Sequence, residues 1–138
     1  MSPTIIALLG YIFWMLILLG MLAGLRVSLS RAGQAAPNSF EPDGSDFRGL
    51  SNKIARAHAN CYESFPIVGG LLLLALATDT SGITDGLAYW MLGLRITQSA
   101  VHLLSTSNKA VLLRFVLFLG QVFIAMYWGI QMLKYFMA

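Results

Sequence analysis

The sequence predicts an all-α integral membrane protein, a bundle of four transmembrane helices. Of its 138 residues, 57% are hydrophobic and only 11% charged, whereas soluble domains carry charge at roughly a quarter of positions. Mean hydropathy is +0.72. Runs dominated by apolar residues recur four times, near residues 4–25, 52–78, 86–104 and 110–133, each close to the roughly 20 residues a spanning helix needs. The chain therefore reads as one membrane domain, 1–138, without internal repeats or low-complexity tracts. A net charge of +3 does not indicate a nucleic-acid partner, because the excess Lys and Arg residues lie in juxtamembrane loops with no interleaved aromatic cluster.

The first span, Ile5 to Leu25, is uncharged. A signal peptide is disfavoured because a basic leading region is missing and the run exceeds the usual apolar core, so a retained helix is expected. Gly20 and Gly24 form a small-xxx-small pair that would allow close helix contact. Arg26 to Lys53 is the one long polar segment. Ala36-Pro37-Asn38 and Glu41-Pro42-Asp43-Gly44 are turn formers there, which predicts a loop outside the hydrocarbon.

The second span cannot be made from its apolar run alone, because Phe65 to Thr78 is only 14 residues. Crossing the bilayer requires the polar turns before it, with entry near His58 and Glu63 roughly 8 Å below the surface at 1.5 Å per residue. Arg56, Asn60 and Glu63 stand at i, i+4 and i+7, within roughly 60° of one another on one helix face. A carboxylate at that depth is costly unless paired or wetted, and so marks a functional site.

Asp79 to Asp85 reads as a turn, with Thr84 or Asp85 as the cap of the third helix. That helix carries Arg95 near its middle, at about 2.5 to 3.5 kcal/mol on insertion scales. Arg95, Gln98 and His102 share a face, with Ser99 beside them. Ser105 to Lys109 is a short connection. The fourth span has Arg114 one turn inside its start and Gln121 deeper, while Tyr127, Trp128 and Tyr135 suit an interfacial aromatic belt.

The basic residues of loops 26–53 and 105–109 put those loops in the cytoplasm and both termini outside, and the compact chain suggests a bacterial inner membrane. Measured from the cytoplasmic side, Asn60 and His102 then lie at roughly 3 Å, Arg114 near 6 Å, Glu63 and Gln98 at about 8 to 9 Å, and Arg95 near 13 Å. Two readings compete. In one, Glu63 neutralises Arg95 as an internal brace. In the other, one carboxylate cannot balance Arg56, Arg95 and Arg114, and the surplus positive charge in low dielectric invites an anion. His58 reads as an interfacial histidine and Cys61 as a small buried side chain, and no metal-ligand spacing is present.

The stretch Arg56-Ala57-x-x-Asn60-Cys61-x-Glu63-x-Phe65-Pro66 resembles the second-helix signature of the membrane-associated proteins in eicosanoid and glutathione metabolism, the MAPEG family. Its motif is nearest the leukotriene-C synthase and microsomal glutathione transferase type. The four-span layout and polar third helix extend the resemblance over essentially the whole chain. The resemblance implies a homotrimeric four-helix bundle that binds glutathione as co-substrate between neighbouring subunits. Arg56, Asn60 and Glu63 would hold the tripeptide, with Arg95 as the third-helix arginine and Arg26 reaching the glycine end. Arg114, with Lys109 as runner-up, would stabilise the thiolate. Gln98 and His102 stand where eukaryotic members carry His or Tyr followed by Tyr, and would contact the peptide. Ala59 replaces the second arginine of the prostaglandin-E synthase type, which argues against that activity.

The expected chemistry is a glutathione-dependent transferase or peroxidase acting on lipophilic electrophiles from the bilayer. A free thiol of pKa near 8.5 is only a few per cent thiolate at neutral pH, and each unit of lowering by a nearby guanidinium yields up to tenfold more nucleophile. The alternatives are a non-catalytic lipid-binding or scaffold member of the same fold, and an unrelated membrane subunit braced by ion pairs.

Overall fold

The computed structural model describes residues 1–41 and 49–138; the Pro42-Asp43-Gly44 turn and Arg48, both assigned to the first loop from sequence, lie outside the described residues. Four helices follow in order: α1 Pro3–Arg31, α2 Leu50–Ala77, α3 Ser81–Leu104 and α4 Asn108–Met137. Three of them, α1, α2 and α4, are long and apolar enough to cross a membrane. The polar content of α3 includes Thr84, Arg95, Gln98 and Ser99, and all four are buried. Its polar side faces protein, while Tyr89 and Trp90 face outward.

At its start α1 is capped by the Ser2 hydroxyl, which accepts from the Ile5 N–H, and Pro3 occupies a position where no N–H is needed. The helix continues past Arg26 to Arg31, further than its apolar run, because nothing breaks it before Gly33. There φ is +70°, and the N–H groups of Gly33 and Gln34 bond the carbonyls of Ser30 (3.1 Å) and Leu29 (3.0 Å). This is a Schellman ending, which needs a left-handed residue. Arg26 is therefore inside a helix and does not close one.

The α2–α3 connection uses the same ending without glycine. Asp79 takes the left-handed position (φ 55°), and the Thr80 N–H bonds the Ala75 carbonyl at 2.8 Å. The turn is complete by Thr80, so α3 begins at Ser81, earlier than expected, and neither Thr84 nor Asp85 caps it. Asp85 Oδ1 instead accepts from the Thr4 N–H (3.0 Å) and the Thr4 hydroxyl (2.6 Å). It thereby satisfies one of the free donors at the start of α1.

The buried stripe of α1 is Thr4, Ala7, Tyr11, Leu18 and Leu22, spaced three, four and seven residues apart as one helix face requires. It packs with Ala57, Cys61 and Leu72 of α2, Ala88 and Met91 of α3, and Trp128 of α4. Trp128 is fully buried and is a core residue, not part of an aromatic belt. It shares a face with Gln121, seven residues earlier. α1 lies tightly against α3 at Gly10, where a Cβ would lie 2.7 Å from the Leu92 side chain. Gly20 and Gly24 have no neighbouring helix within 4 Å of that position.

α3 is the centre of the bundle and packs on all three other helices, whereas α2 and α4 touch only lightly and the backbones of α1 and α4 do not come close among the described residues. A cleft therefore opens between α2 and α4, floored by α3. Pro66 interrupts α2 just beyond it, removing the donor for the Tyr62 carbonyl. Side chains tie down the turn before the proline: Tyr11 Oη donates to the Cys61 carbonyl (3.0 Å), and Ser64 Oγ donates to the Asn60 carbonyl (2.9 Å).

Candidate functional site

The cleft, about 400 Å³ in volume, is lined by Asn60 and Glu63 of α2, Gln98 and His102 of α3, and Arg114, Phe115 and Phe118 among the residues of α4. A smaller cavity adjoins it and shares the His102 and Arg114 wall. Its own lining includes Lys53, Arg56 and Thr106. The structure thus brings together Arg56, Asn60, Glu63, Gln98, His102 and Arg114 at one end of the bundle, with Arg95 directly behind them.

Arg95 is 1% exposed. Its Nη1 donates to Asn60 Oδ1 and, at 3.3 Å, to the Asn60 carbonyl, and its guanidinium lies 5.5 Å from the centre of the Tyr11 ring. Its Nε has no acceptor among the described residues. A guanidinium only donates, so the oxygen of the Asn60 amide must face Arg95. The two N–H donors of that amide have no partner among the described residues. The charge on Arg95 is held by an amide, a carbonyl and an aromatic face, and no carboxylate touches it among the described residues.

Glu63 is exposed to the cleft, and no hydrogen bond or ion pair reaches it among the described residues. The brace in which Glu63 neutralises Arg95 is absent. Asn60 takes that place because it lies four residues after Arg56 and one turn before Glu63, at the level where Arg95 crosses α2.

The opposite wall is held by a chain of amides. Gln121 Nε2 donates to Gln98 Oε1 (3.0 Å) and to the Leu117 carbonyl (3.0 Å), and Gln98 Nε2 donates to the Arg114 carbonyl (3.1 Å). Gln98 is 2% exposed, and both ends of its amide are engaged with α4. The Arg114 guanidinium, half-buried, reaches His102 Nδ1 at 2.9 Å. These contacts fix the backbone and the head of Arg114 independently.

Two residues expected at the site lie elsewhere in this chain. Arg26 donates to the Glu41 carbonyl (2.8 Å) and lies over the Phe40 ring, 5.3 Å from its centre. It lines a separate surface cavity with Ser30, Arg31 and Pro37. Lys109 is exposed on the first turn of α4 and lines neither cavity of the site. Conversely, Tyr11 was not singled out from sequence, although a hydroxyl inside the apolar run from Ile5 to Leu25 is the kind of isolated polar group that marked Arg95. Phe115 and Phe118 follow Arg114 at one and four positions and give the cleft an apolar flank.

The arrangement offers an acceptor for a cationic group at Glu63, amide donors at Asn60, and a positioned guanidinium across the cleft at Arg114. A ligand carrying both charges fits it better than a simple anion. The family model described as the MAPEG family matches residues 4–134. No curated protein and no solved structure matches the chain.

Proposed function

The chain belongs to the MAPEG family, and from that premise we propose that it is a glutathione-dependent membrane transferase or peroxidase of the leukotriene-C synthase and microsomal glutathione transferase type. The observation that carries this reading is the placement of Arg114 across an open cleft from Glu63, which has no partner among the described residues. Glutathione has an ammonium group for Glu63 and carboxylates for Asn60 and Arg56. With the peptide so placed, the thiol faces Arg114, whose guanidinium favours the thiolate in a site of low dielectric.

A lipophilic electrophile arriving from the bilayer meets the cleft along Phe115 and Phe118. Attack by the thiolate sulfur on an electrophilic carbon forms the C–S bond and expels a leaving group, or opens a strained ring whose oxygen then takes a proton. With a hydroperoxide, the sulfur attacks the terminal oxygen, the O–O bond breaks and the alcohol leaves. A second glutathione then releases the first as disulfide, so two thiols supply the two electrons.

In this reading the protein is a homotrimer, and the place of Arg26 supports it. Arg26 lies away from the cleft of its own chain, and a neighbouring subunit would bring it to a glutathione bound between chains. The basic residues of the loops at 26–53 and 105–109 favour their placement in the cytoplasm, with both termini outside, in a bacterial inner membrane.

Stopped-flow ultraviolet absorbance on mixing the purified protein with glutathione tests the proposal. Appearance of a thiolate band with proton release is expected. Binding without thiolate would leave a lipid-binding or scaffold role, and absence of binding would remove glutathione from the account.

A further inference from the structure

Helices in lipid are not driven together by the hydrophobic effect, so packing and interhelical hydrogen bonds decide where one stands on another. α4 packs mainly on α3 and only lightly on α2. Its far half is held by Trp128, fully buried in the core. The half that carries Arg114 is held differently. Three hydrogen bonds join it to α3 among the described residues: Gln98 to the Arg114 carbonyl, Gln121 to Gln98, and Arg114 to His102. The two helices lie close there, since a Cβ on Gly120 would stand 3.2 Å from the Leu94 side chain.

The two amides of this chain fit in one orientation only. The Arg114 carbonyl can only accept, so Gln98 turns Nε2 towards it and is left with Oε1 facing Gln121. Gln121 must then offer Nε2, whose second N–H reaches the Leu117 carbonyl. Reversing either amide sets oxygen against oxygen. Gln98 is thus held between the carbonyl of Arg114 and the side chain of Gln121, a bracket over roughly 10 Å of α4. A slide of α4 along α3 by one turn, or a rotation by one residue, breaks both ends at once.

Gln121 is 3% exposed and lines neither cavity of the site, so it does not meet a ligand there. Its Oε1 has no donor among the described residues. A buried acceptor without a donor is a cost that leucine or methionine would not carry, and packing alone calls for an apolar side chain at this place. We propose that Gln121 is a positioning residue: acting through Gln98, it fixes the height and rotation of α4 on α3, and with them the point at which the Arg114 guanidinium enters the cleft. The positioning itself needs no ligand; its effect on a thiol rests on the glutathione reading.

The test uses the full chain in detergent and two measurements. The first, without ligand, is the 15N magnetic resonance of histidine-labelled protein, in which the chain's two histidines are told apart by His58→Gln. Gln121→Met keeps the volume and removes the donor. It is expected to move the His102 Nδ1 signal towards that of a ring with no hydrogen bond at that nitrogen. Gln98→Met should do the same, and the double variant should go no further than either, because both act through one chain. If Gln121→Met does not fold, Gln121→Asn, polar and one methylene shorter, is measured in its place with the same shift expected. The second measurement is the pH dependence of the thiolate band with glutathione bound. For Gln121→Met its midpoint should rise by about one pH unit, roughly tenfold less thiolate at neutral pH, with glutathione affinity unchanged. An unmoved His102 signal in the folded variant, or shifts that add in the double variant, would overturn the proposal even if the melting temperature fell, since Gln121 would then be structural. A native protein that forms no thiolate while Gln121→Met still moves the His102 signal would sink the glutathione reading and uphold the positioning.

Discussion

The guanidinium of Arg114 donates to Nδ1 of His102 across 2.9 Å. Because a guanidinium has no lone pair to return, the bond exists only while His102 is unprotonated at that nitrogen. His102→Leu removes the contact and leaves Arg114 free to swing. Turnover is expected to fall about tenfold, roughly one hydrogen bond to a charged group, with glutathione affinity unchanged. His102→Asn, which keeps an acceptor oxygen, should recover part of the rate. A loss of glutathione affinity with normal thiolate formation would instead make His102 a ligand of the peptide.

Arg114 carries the chemistry in this account, while Asn60, Glu63 and Arg56 hold the peptide. Arg114→Ala should therefore reduce turnover by about 10² to 10³-fold, the usual range for removing one preorganised charge-stabilising group. Glutathione should still bind. Equilibrium binding measured beside thiolate absorbance checks both halves. Lost affinity with an intact thiolate signal in the residual complex would assign the thiol to another cation, with Lys109 the first to examine.

Glu63 bears on whether the polar residues brace the bundle or serve a ligand. Among the described residues it has no partner, and it faces open space, so Glu63→Gln should leave thermal stability in detergent unchanged. Glutathione affinity should drop by about tenfold or more, since a charge-assisted contact to its ammonium is lost. If the melting temperature fell and affinity did not, Glu63 would be a structural residue.

Stability should depend instead on Asn60, which holds the buried charge of Arg95. Asn60→Ala leaves that guanidinium with a backbone carbonyl and the Tyr11 ring, and is expected to cost about 3 kcal/mol of stability. Asn60→Asp supplies a counter-charge in the same space and should be far milder. Denaturation of both variants in one detergent separates this role from ligand binding, which each substitution also touches.

Arg56, Asn60, Glu63, Arg95 and Arg114 were legible in the sequence because a polar side chain in an apolar run is conspicuous, and helical spacing brings such residues onto one face. Which of them pair was not legible. Coulomb's law favours Glu63 for Arg95, but side-chain reach across the α2–α3 contact places Asn60 there. Spacing along α3 put Gln98 and His102 at the site without showing that both are turned towards Arg114. Trp128 looked interfacial because residue type alone suggested it, whereas its face of α4 decided otherwise. The start of α3 was read too late for a local reason: the left-handed residue of the turn before it is Asp79, and an aspartate does not announce a Schellman ending as Gly33 does.

Asp79 at φ 55° is in the region that L-residues enter at a cost of roughly 1 to 2 kcal/mol, somewhat less for Asp and Asn. Glycine adopts it freely, although it loses more chain entropy on folding. No side-chain hydrogen bond to Asp79 is present among the described residues, so its carboxylate does not offset the strain. Asp79→Gly should therefore stabilise the protein by about 0.5 to 1 kcal/mol, seen as a higher melting temperature in detergent. Asp79→Val, branched at Cβ, should lower it, because the carbonyls of Ala75 and Leu76 would lose the turn that satisfies them. Equal melting temperatures for the two variants would mean that this turn does not limit stability, and that the α2–α3 hairpin is held by its packing.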